Sequence, residues 1–574
     1  MNRNVHRSRA RARRAAVLLL PLLVLAGTMA LDSATAEAFW WWPPPPREEA
    51  APTSSASSLP APTLTEIPYT SGEHGYPYDA VPPPSGVVGE PALNTRFLER
   101  YDYAEKEFKM SGATDVYREN GFWSSNGNWN ISVTQSNVPY TTRLLVRYPK
   151  NPAKFNGTVI FEWTNVTTGG DQDPVWSEIG EEAVRQGYAF VGVTAQKAGM
   201  EDLLRWDPKR YAGLGDSSDG QSYSIFTQAA EAVKAHSATL LGGLTPKRLI
   251  GMGDSQSAFR VDTYVNAFQP ITHAFNGFIA VGRAVTAAPL GNGLIATSPF
   301  PAYIRTDNTA PFIQLNTQGD IVELDAAAAR QADNAYLRTW ELPGASHIDA
   351  HEAAYEIETI AREEPSLPVP ACTFGTPIEG TGTVLDGVNQ VNNTSLYEVE
   401  TAALVDMQRW LAEGVPAPHE PSQISTTPVF FGLYDLVNSN QYGVGGGGIR
   451  MPEAEVPTEE YSVINFAKLT AESLNPLTLF GELTSFFEAS QTGSISNPEA
   501  RTAGLCLLSG YFNNLSSATL KALYPTPESY ANRFKAVAEG DVAAGFMTPT
   551  QAAESVALAE AGYGPPQQPL VRIP

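Results

Sequence analysis

The chain has 574 residues, of which 43% are hydrophobic and 17% charged, and its formal net charge is −23. This composition is that of a globular protein long enough to bury a large core. A strongly acidic chain repels phosphate backbones, which excludes nucleic acid as a partner. The two cysteines, Cys372 and Cys506, do not supply the ligands of a cysteine-rich zinc site; they form either a disulfide or two buried free thiols.

The first 38 residues have the pattern of a secretory signal peptide. Six arginines precede an apolar run at 15–30, and small-x-small cleavage motifs follow at 34–36 and 36–38. The run is short for a membrane span, so we expect no stable membrane insertion after cleavage. An uncleaved anchor is the alternative. Six arginines and two acidic residues give the segment a net charge of +4, so its removal leaves a chain with a net charge of −27. The sequence therefore predicts an exported protein, periplasmic or released.

Residues 39–64 begin with three tryptophans and four prolines and continue as a Ser/Pro/Ala-rich run, which predicts an exposed linker. Beyond it, strand and helix patterns alternate. Strands are predicted at 102–117, 131–148, 158–163, 188–193, 275–281 and 311–315, and helices at 177–186, 223–241, 325–337 and, farther on, 397–413, 527–539 and 548–562. Apolar strands that alternate with helices predict an α/β fold with a mostly parallel central sheet flanked by helices.

Residues 251–258 have the pattern of a sharp turn between a strand and a helix. Apolar residues recur at steps of three and four along 258–268, which is the period of a helix. Ser255 stands at the centre of the turn, with the small Gly253 and Ser257 two positions away on either side. This is typical of a nucleophile elbow, whose usual pattern is G-x-S-x-G. An ordinary strand–turn–helix is the alternative.

Asp320 is the candidate carboxylate that would orient a base. It follows the predicted strand at 311–315 in a Gly-Asp turn, which places a carboxylate at the edge of a parallel sheet. The alternative role for Asp320 is a helix N-cap for the segment that starts at Ile321. Glu323 and Asp325 are the reserve candidates.

His347 is the candidate base, because it follows a short strand and a Pro-Gly turn in a chain with only seven histidines. Its nearest rival is His351, one helical turn farther on. The resulting chain order, Ser255, Asp320 and then His347, is the order of α/β-hydrolases and of neither of the two unrelated serine protease types. Three side chains that each follow a strand would meet at the carboxyl edge of the sheet.

An oxyanion hole would complete this set. The first donor is expected to be the backbone N–H of Gln256, the residue after the candidate nucleophile. The second is expected from the polar turn at 164–170, and we assign it to the backbone N–H of Val166.

The sequence resembles the α/β-hydrolase superfamily and, more narrowly, the bacterial group described as "alpha/beta hydrolase domain-containing protein". The motifs that carry the resemblance are Glu162-Trp163-Thr164-Asn165-Val166, Gly192-Val193-Thr194-Ala195-Gln196, Gly253-Asp254-Ser255-Gln256-Ser257-Ala258, Trp340-Glu341-Leu342-Pro343-Gly344-Ala345-Ser346-His347 and Gly447-Gly448-Ile449-Arg450-Met451-Pro452. The resemblance spans roughly residues 95–565. It implies the α/β-hydrolase fold and a triad of Ser255, His347 and an acid, and Ser257 in place of glycine is part of the group's pattern.

These features predict a secreted serine hydrolase that cleaves carboxylic esters, small or polymeric, through an acyl-enzyme and without a metal or organic cofactor. An acyltransferase or lyase on the same fold and a non-catalytic extracellular binding protein are the alternatives. We expect residues 65–574 to form one catalytic unit, with a core at about 95–365 and a cap and C-terminal extension at about 366–574. The apolar segments 477–480 and 486–487 would cover the site.

Overall fold

The structure is a computed structural model, which describes residues 61–69, 95–215, 218–291, 299–363, 372, 391–429, 434–465 and 498–561. The predicted signal peptide and the apolar cap segments 477–480 and 486–487 lie outside the described residues, as does the predicted linker up to residue 60. The linker prediction is wrong at its end, because Thr63–Ile67 forms a strand that pairs with the main sheet. Ile67 is buried there.

The centre of the molecule is a nine-stranded sheet in the order β1-β2-β3-β5-β4-β6-β7-β8-β9. Its strands are β1 Thr63–Ile67, β2 Tyr103–Glu119, β3 Ile131–Pro149, β4 Thr158–Trp163, β5 Ala189–Val193, β6 Arg248–Asp254, β7 Gly277–Val281, β8 Phe312–Thr317 and β9 Leu337–Leu342. The first three strands and the β3–β5 pair are antiparallel, whereas all pairs from β5 through β4 to β9 are parallel. The predicted fold class is therefore confirmed.

Helices follow the strands and cover both faces of this sheet. They are α1 Thr95–Arg100, α2 Pro174–Arg185, α3 Lys197–Trp206, α4 Ser222–Leu240, α5 Gln256–Thr263, α6 Gln269–Thr272, α7 Gln318–Glu323, α8 Ala350–Glu363, α9 Leu396–Glu413, α10 Pro452–Glu455, α11 Pro498–Ser509, α12 Ser517–Leu523, α13 Pro527–Ala544 and α14 Pro549–Glu560. One turn of π-helix, Tyr264–Phe268, joins α5 to α6.

The side chains of the parallel strands alternate between two hydrophobic cores, as the period of a strand requires. Phe161 of β4 packs with Phe226 of α4 and Val261 of α5 on one face. Ile160 of the same strand packs with Ile179 of α2 and Val399 of α9 on the other. All of these side chains are buried. Because both faces are covered, the strands read as continuous apolar runs in the sequence.

The prediction of a helix at 325–337 is wrong. The structure has only the 3-10 turn Ala326–Ala329, and β9 begins at Leu337. Between them, a side chain bonds the neighbouring backbone: Asn334 Oδ1 accepts from the N–H groups of Tyr336 and Leu337 at 2.8 and 3.0 Å. Such side-chain bonds compete with the hydrogen bonds of a helix.

The C-terminal part of the chain lies along β9 and the neighbouring loops. Four short strands occur here: β10 Thr426–Val429 pairs with β11 Tyr434–Val437, and β12 Glu459–Ser462 pairs with β13 Tyr511–Asn514. The N–H of Ile449 donates to the carbonyl of Glu341 in β9 at 2.8 Å. Within the described residues, no helix is both long and apolar enough to cross a membrane, and no three His, Cys, Asp or Glu side chains are placed to hold a metal ion.

Cys372 and Cys506 form a disulfide, which decides between the two alternatives that the sequence left open. The bond closes a loop of 134 residues and ties residue 372 to α11. Since Leu508 and Ser509 end that helix, the disulfide lies close to residues that contact the candidate site.

Candidate active site

The turn after β6 has the strained geometry of a nucleophile elbow. Ser255 has φ 54° and ψ −122°, in a region that residues with a side chain rarely adopt. A Cβ on Gly253 would lie 2.6 Å from the carbonyl oxygen of Ser257, so only glycine fits there. The Ser257 hydroxyl accepts from the Asp254 N–H at 2.9 Å and donates to the Asp254 carbonyl at 2.7 Å. Serine in place of the usual glycine thus fastens the turn.

The structure brings the three predicted side chains together in a line. Ser255 Oγ lies 2.8 Å from Nε2 of His347, and Nδ1 of His347 lies 2.5 Å from Oδ1 of Asp320. The other carboxylate oxygen of Asp320 accepts from the N–H of Thr317 at 2.5 Å. With Nδ1 bonded to a carboxylate, Nε2 of neutral His347 is free to accept the proton of the serine hydroxyl.

Asp320 is not the N-cap of the helix that follows β8. Thr317 occupies that position and its hydroxyl accepts from the Asp320 N–H, so Asp320 is the third helical residue of a capping box. The reserve candidates Glu323 and Asp325 make no hydrogen bond to His347 in the described structure. The capping box fixes the Asp320 carboxylate and so orients it toward the imidazole.

The imidazole of His347 packs against the backbone of a glycine beside Ser255. Gly282, just after β7, has φ +64°, and a Cβ there would lie 2.7 Å from Cε1 of His347. A side chain at this position would displace the ring. Gly282 could not be identified from the sequence, since nothing local indicates that a histidine 65 residues away packs against it.

The surroundings of His347 favour its protonated form. Burial alone lowers the pKa of the ring, but the charge of Asp320 and its hydrogen bond, with smaller contributions from Asp254 and Glu356, outweigh it, and the pKa is raised above 6.5. His351, the rival, lies elsewhere: its Nε2 is 2.9 Å from the Ser177 carbonyl and its ring stacks on Tyr397.

The predicted oxyanion loop is fastened directly to the elbow. Asn165 Nδ2 donates to the Asp254 carbonyl at 3.0 Å, and its Oδ1 accepts from the Thr167 N–H at 2.7 Å. Between these anchors, the N–H of Val166 has no partner among the described residues, and neither has the N–H of Gln256 at the start of α5. Two unpaired N–H groups beside the serine are what an oxyanion hole needs. Sequence reasoning named the loop but missed the anchoring role of Asn165.

Buried carboxyl groups surround Asp254 on the side of α2, α8 and α9. Burial, opposed by the charge of His347, raises the pKa of Asp254 to about 7, and burial with repulsion from Asp254 raises that of Glu356 to about 8. Burial and repulsion from Asp254 and other carboxyls also raise the pKa values of Glu178, Glu352 and Glu400 well above the ordinary range. These carboxyl groups therefore lose their protons at higher pH than exposed carboxyl groups do.

Gln318 links the two loops that carry Asp320 and His347, and sequence reasoning missed it. Its Oε1 accepts from the N–H groups of Gly344 and Gly445, each at 2.8 Å, while its Nε2 donates to the carbonyl of Gly443 at 2.9 Å. Gly344 belongs to the turn before His347. The side chain therefore joins the acid loop, the histidine loop and the glycine tract of the C-terminal part.

The end of α11 holds the histidine loop from the other side. The Ile348 N–H donates to the Leu508 carbonyl at 3.0 Å, and the Ser346 hydroxyl, which lies 2.6 Å from the Ile348 carbonyl, also contacts the Ser509 carbonyl at 3.1 Å. His347 thus lies between two residues that are fastened to the C-terminal part. A surface cleft of about 540 Å³ lies nearby, but residues of the 438–450 loop line it and no triad side chain does.

Several solved structures overlap parts of this chain. An alpha-beta serine hydrolase homologue from Coxiella burnetii is 14% identical, over 36% of this chain and 84% of that one, with a TM-score of 0.24. An S-formylglutathione hydrolase from Agrobacterium tumefaciens is 12% identical, over 45% and 93%, with a TM-score of 0.23. A fungal esterase from Rhizomucor miehei is 11% identical, over 40% and 75%, with a TM-score of 0.22. At these identities and TM-scores the overlaps do not bear on substrate or mechanism.

Comparison with curated proteins finds no match. The family comparison is decisive, because a model described as "Alpha/beta hydrolase domain" matches residues 65–557, which is most of the chain. That range includes the elbow, the acid loop, the histidine loop and the C-terminal part that holds them. The chain belongs to this alpha/beta hydrolase domain family and is a hydrolase.

Proposed function

We propose that the chain is an exported serine hydrolase that cleaves carboxylic esters through an acyl-enzyme. The observation that carries this proposal is the line of contacts from Ser255 Oγ to His347 Nε2, at 2.8 Å, and from His347 Nδ1 to Asp320 Oδ1, at 2.5 Å. A nucleophile, a base and a carboxylate that orients the base form the arrangement that activates a serine hydroxyl.

In the first half of the reaction, Ser255 Oγ attacks the ester carbonyl while Nε2 of His347 takes the hydroxyl proton. Asp320, bonded to Nδ1, stabilises the imidazolium that forms. The backbone N–H groups of Val166 and Gln256 stabilise the negative charge on the tetrahedral oxygen. The C–O bond to the alcohol then breaks, and the alcohol leaves with the proton from Nε2.

In the second half, water attacks the acyl group on Ser255 and gives its proton to Nε2 of His347. The tetrahedral intermediate collapses, the acid is released and the serine regains its proton. The raised pKa of His347 suits both steps, because a base works best when its pKa is near the working pH. Each step uses only groups of this chain, the ester and water.

Export is part of the proposal. The basic and apolar N-terminal segment at 1–38 has the pattern of a signal peptide, and the Cys372–Cys506 disulfide is the kind of bond that persists in oxidising compartments. The test is N-terminal sequencing of protein recovered from periplasm and medium. A mature N-terminus near residue 37 or 39 supports export, whereas an intact Met1 in the cytoplasm contradicts it.

The proposed activity is tested with p-nitrophenyl esters of increasing acyl length, using the native protein, Ser255→Ala and the matched control Ser136→Ala, whose side chain is exposed on β3. We expect turnover by the native protein and by the control, and loss of turnover in Ser255→Ala with an unchanged far-UV spectrum. Turnover that persists in Ser255→Ala would refute the nucleophile. Acyl transfer to an added alcohol in place of hydrolysis would identify an acyltransferase.

A further inference from the structure

Two glutamine side chains beside the nucleophile carry an unfilled donor and an unfilled acceptor. Gln256 directly follows Ser255, and its Nε2 donates to Oε1 of Gln196 at 3.0 Å. The same Gln196 oxygen also accepts from the indole N–H of Trp163 at 3.0 Å. Gln196 lies three residues beyond β5, at the carboxyl edge of the sheet.

These bonds fix which way each amide points. Since Trp163 can only donate, the Gln196 atom that it meets must be the oxygen, and the Gln196 NH₂ is the free end. Since that oxygen needs a donor from Gln256, the Gln256 atom at the contact is the nitrogen, and its oxygen is the free end. Within the described structure, Gln196 Nε2 and Gln256 Oε1 have no hydrogen-bond partner.

The free ends are sealed from bulk solvent. Gln196 and Gln256 are each 1% exposed. Two more side chains of the oxyanion loop, Thr167 and Thr168, are buried at 6% and 8% exposure with hydroxyls that have no partner among the described residues. Buried polar groups are almost always hydrogen-bonded in native proteins, so we expect these four side chains, taken together as a cluster beside the nucleophile, to contact ordered water or a polar group of a bound molecule.

We propose that this cluster binds a hydroxyl group of the substrate, so that the enzyme prefers esters whose acyl or alcohol part carries a hydroxyl close to the scissile bond. This inference rests on the proposed ester hydrolysis. A hydroxyl both donates and accepts, and the cluster offers an amide NH₂ donor, an amide oxygen acceptor and two threonine hydroxyls. An apolar acyl chain there would leave all of these buried groups unpaired, at a cost in binding of the transition state.

Matched ester pairs that differ only by OH in place of CH₃ test the inference. Propyl 3-hydroxybutyrate against propyl 3-methylbutyrate probes the acyl side, and 2-hydroxyethyl butyrate against propyl butyrate probes the alcohol side. We expect kcat/KM for the hydroxylated member of one pair to exceed that of its partner by about 10- to 100-fold. The pair that shows this difference in kcat/KM identifies whether the cluster binds a hydroxyl of the acyl part or of the alcohol part.

Two substitutions assign the preference to these residues. Gln196→Met removes the free donor, and Thr168→Val removes one hydroxyl with almost no change of shape. We expect the hydroxyl preference, taken as the ratio of kcat/KM values within the pair, to fall at least about fivefold in Gln196→Met and less in Thr168→Val. The matched control is Gln331→Met, whose glutamine bonds only the backbone of Ile304, at 2.6 and 2.8 Å, and it should keep the native ratio.

The outcomes separate this inference from the proposed function. Turnover of both members of each pair at equal rates would mean that the cluster holds only ordered water, which overturns the inference and leaves ester hydrolysis standing. A preference that survives in Gln196→Met would also overturn it. Absence of turnover for every ester, with no labelling of Ser255 by a fluorophosphonate, would overturn both. Loss of labelling in Gln196→Met alone would indicate damage to the elbow, and Thr168→Val then decides the question.

Discussion

The two halves of the described chain contribute different things to the site. The strand-and-helix half, up to residue 363, carries Ser255, Asp320 and His347 on loops that follow β6, β8 and β9. The C-terminal half, from residue 391, contributes none of these side chains. It supplies groups that hold the loops: the N–H of Gly445 to Gln318, the carbonyls of α11 to the histidine loop, and the side-chain amide of Asn392, which donates to the Gly344 carbonyl at 2.8 Å.

This difference separates chemistry from positioning. A triad needs its side chains within a fraction of an ångström of their working geometry, and loops alone seldom hold that precision. The loops that carry Asp320 and His347 are held by groups of the C-terminal half, whereas the elbow and the oxyanion loop are joined to each other within the first half. We therefore expect substitutions of the triad side chains to abolish the reaction, and substitutions of residues that anchor the loops to weaken it.

The largest effect is expected from removal of the base. His347→Ala should lower kcat by about 10⁴- to 10⁶-fold, because the serine hydroxyl loses its proton acceptor. The matched control is His419→Ala, which removes an exposed histidine that also pairs with a carboxylate, Asp333, at 2.6 Å. The measurement is p-nitrophenyl ester turnover; equal losses in both variants would contradict the role of His347.

The next effect is expected from the fastening of the oxyanion loop. Asn165→Asp keeps the oxygen that accepts from the Thr167 N–H but loses the donor to the Asp254 carbonyl. We expect kcat to fall about 10- to 100-fold with little change in KM, since the displaced Val166 N–H acts on the transition state. In the control Asn308→Asp, an amide donor to the Ala310 carbonyl is lost away from the triad, and steady-state kinetics should be native. A change in KM alone would argue against an oxyanion role.

The junction between the halves is tested by Gln318→Met. Loss of its hydrogen bonds to Gly344, Gly443 and Gly445 should lower kcat about 10-fold and shift the pH–rate profile, because the distance between Asp320 and His347 is no longer fixed. Gln318→Glu retains the oxygen that accepts from both glycine N–H groups and should recover part of the activity. A pH profile that coincides with that of the native protein would show that Gln318 is only structural.

A smaller effect is expected from the disulfide. The double variant Cys372→Ser, Cys506→Ser should unfold more easily by about 2–5 kcal/mol, since the bond constrains the unfolded chain. Activity at 25 °C should fall only a few-fold, because the carbonyls of Leu508 and Ser509 still contact the histidine loop, though less firmly. Chemical denaturation and ester turnover measure the two effects. Unchanged values of both would mean that α11 is held without the bond.

The stability of the folded chain should fall as the pH rises, through buried carboxyl groups that lie in the first half. Because the folded-state pKa values of Asp254, about 7, and Glu356, about 8, exceed their unfolded values near 4, the folded state binds more protons. This stabilisation is complete below about pH 4 and is lost as the pH rises through 8. His347, whose pKa is also raised, adds to the same trend. We expect the Tm at pH 5 to exceed that at pH 9 by on the order of 5 °C; a higher Tm at pH 9 would contradict the buried carboxyl cluster.

The activity profile should run the other way at low pH. His347 must be neutral to accept a proton, so kcat/KM should fall as the pH drops through a pKa above the ordinary 6.5. A solvent-exposed base would give an acid limb at or below that value. The pH dependence of kcat/KM for one p-nitrophenyl ester therefore checks whether the Asp320 contact governs the base.

The sequence predicted most of the first half because its signals are local. Strand β4, Thr158–Trp163, was predicted to the residue, since a fully buried strand reads as an unbroken apolar run. Ser255, Asp320 and His347 could be selected because each follows a strand within a short motif. Their catalytic roles remain predictions.

The contacts with the second half could not be predicted in this way. Gln318 and Gly445 are 127 residues apart, and neither residue has a local pattern that indicates the other. The cysteine pairing likewise depended on two segments 134 residues apart. The wrong helix at 325–337 has a local cause: its alanines favoured a helix, but Asn334 bonds the backbone beside it.

The central claim, that His347 activates Ser255 as the nucleophile, is tested most directly by covalent labelling. The native protein, Ser255→Ala and His347→Ala are treated with a fluorophosphonate, and the modified peptide is identified by mass spectrometry with its rate of formation. We predict a single adduct on Ser255 in the native protein, none in Ser255→Ala, and labelling slowed by at least about 10³-fold in His347→Ala. An adduct on another residue, or labelling of His347→Ala at the native rate, would contradict the account.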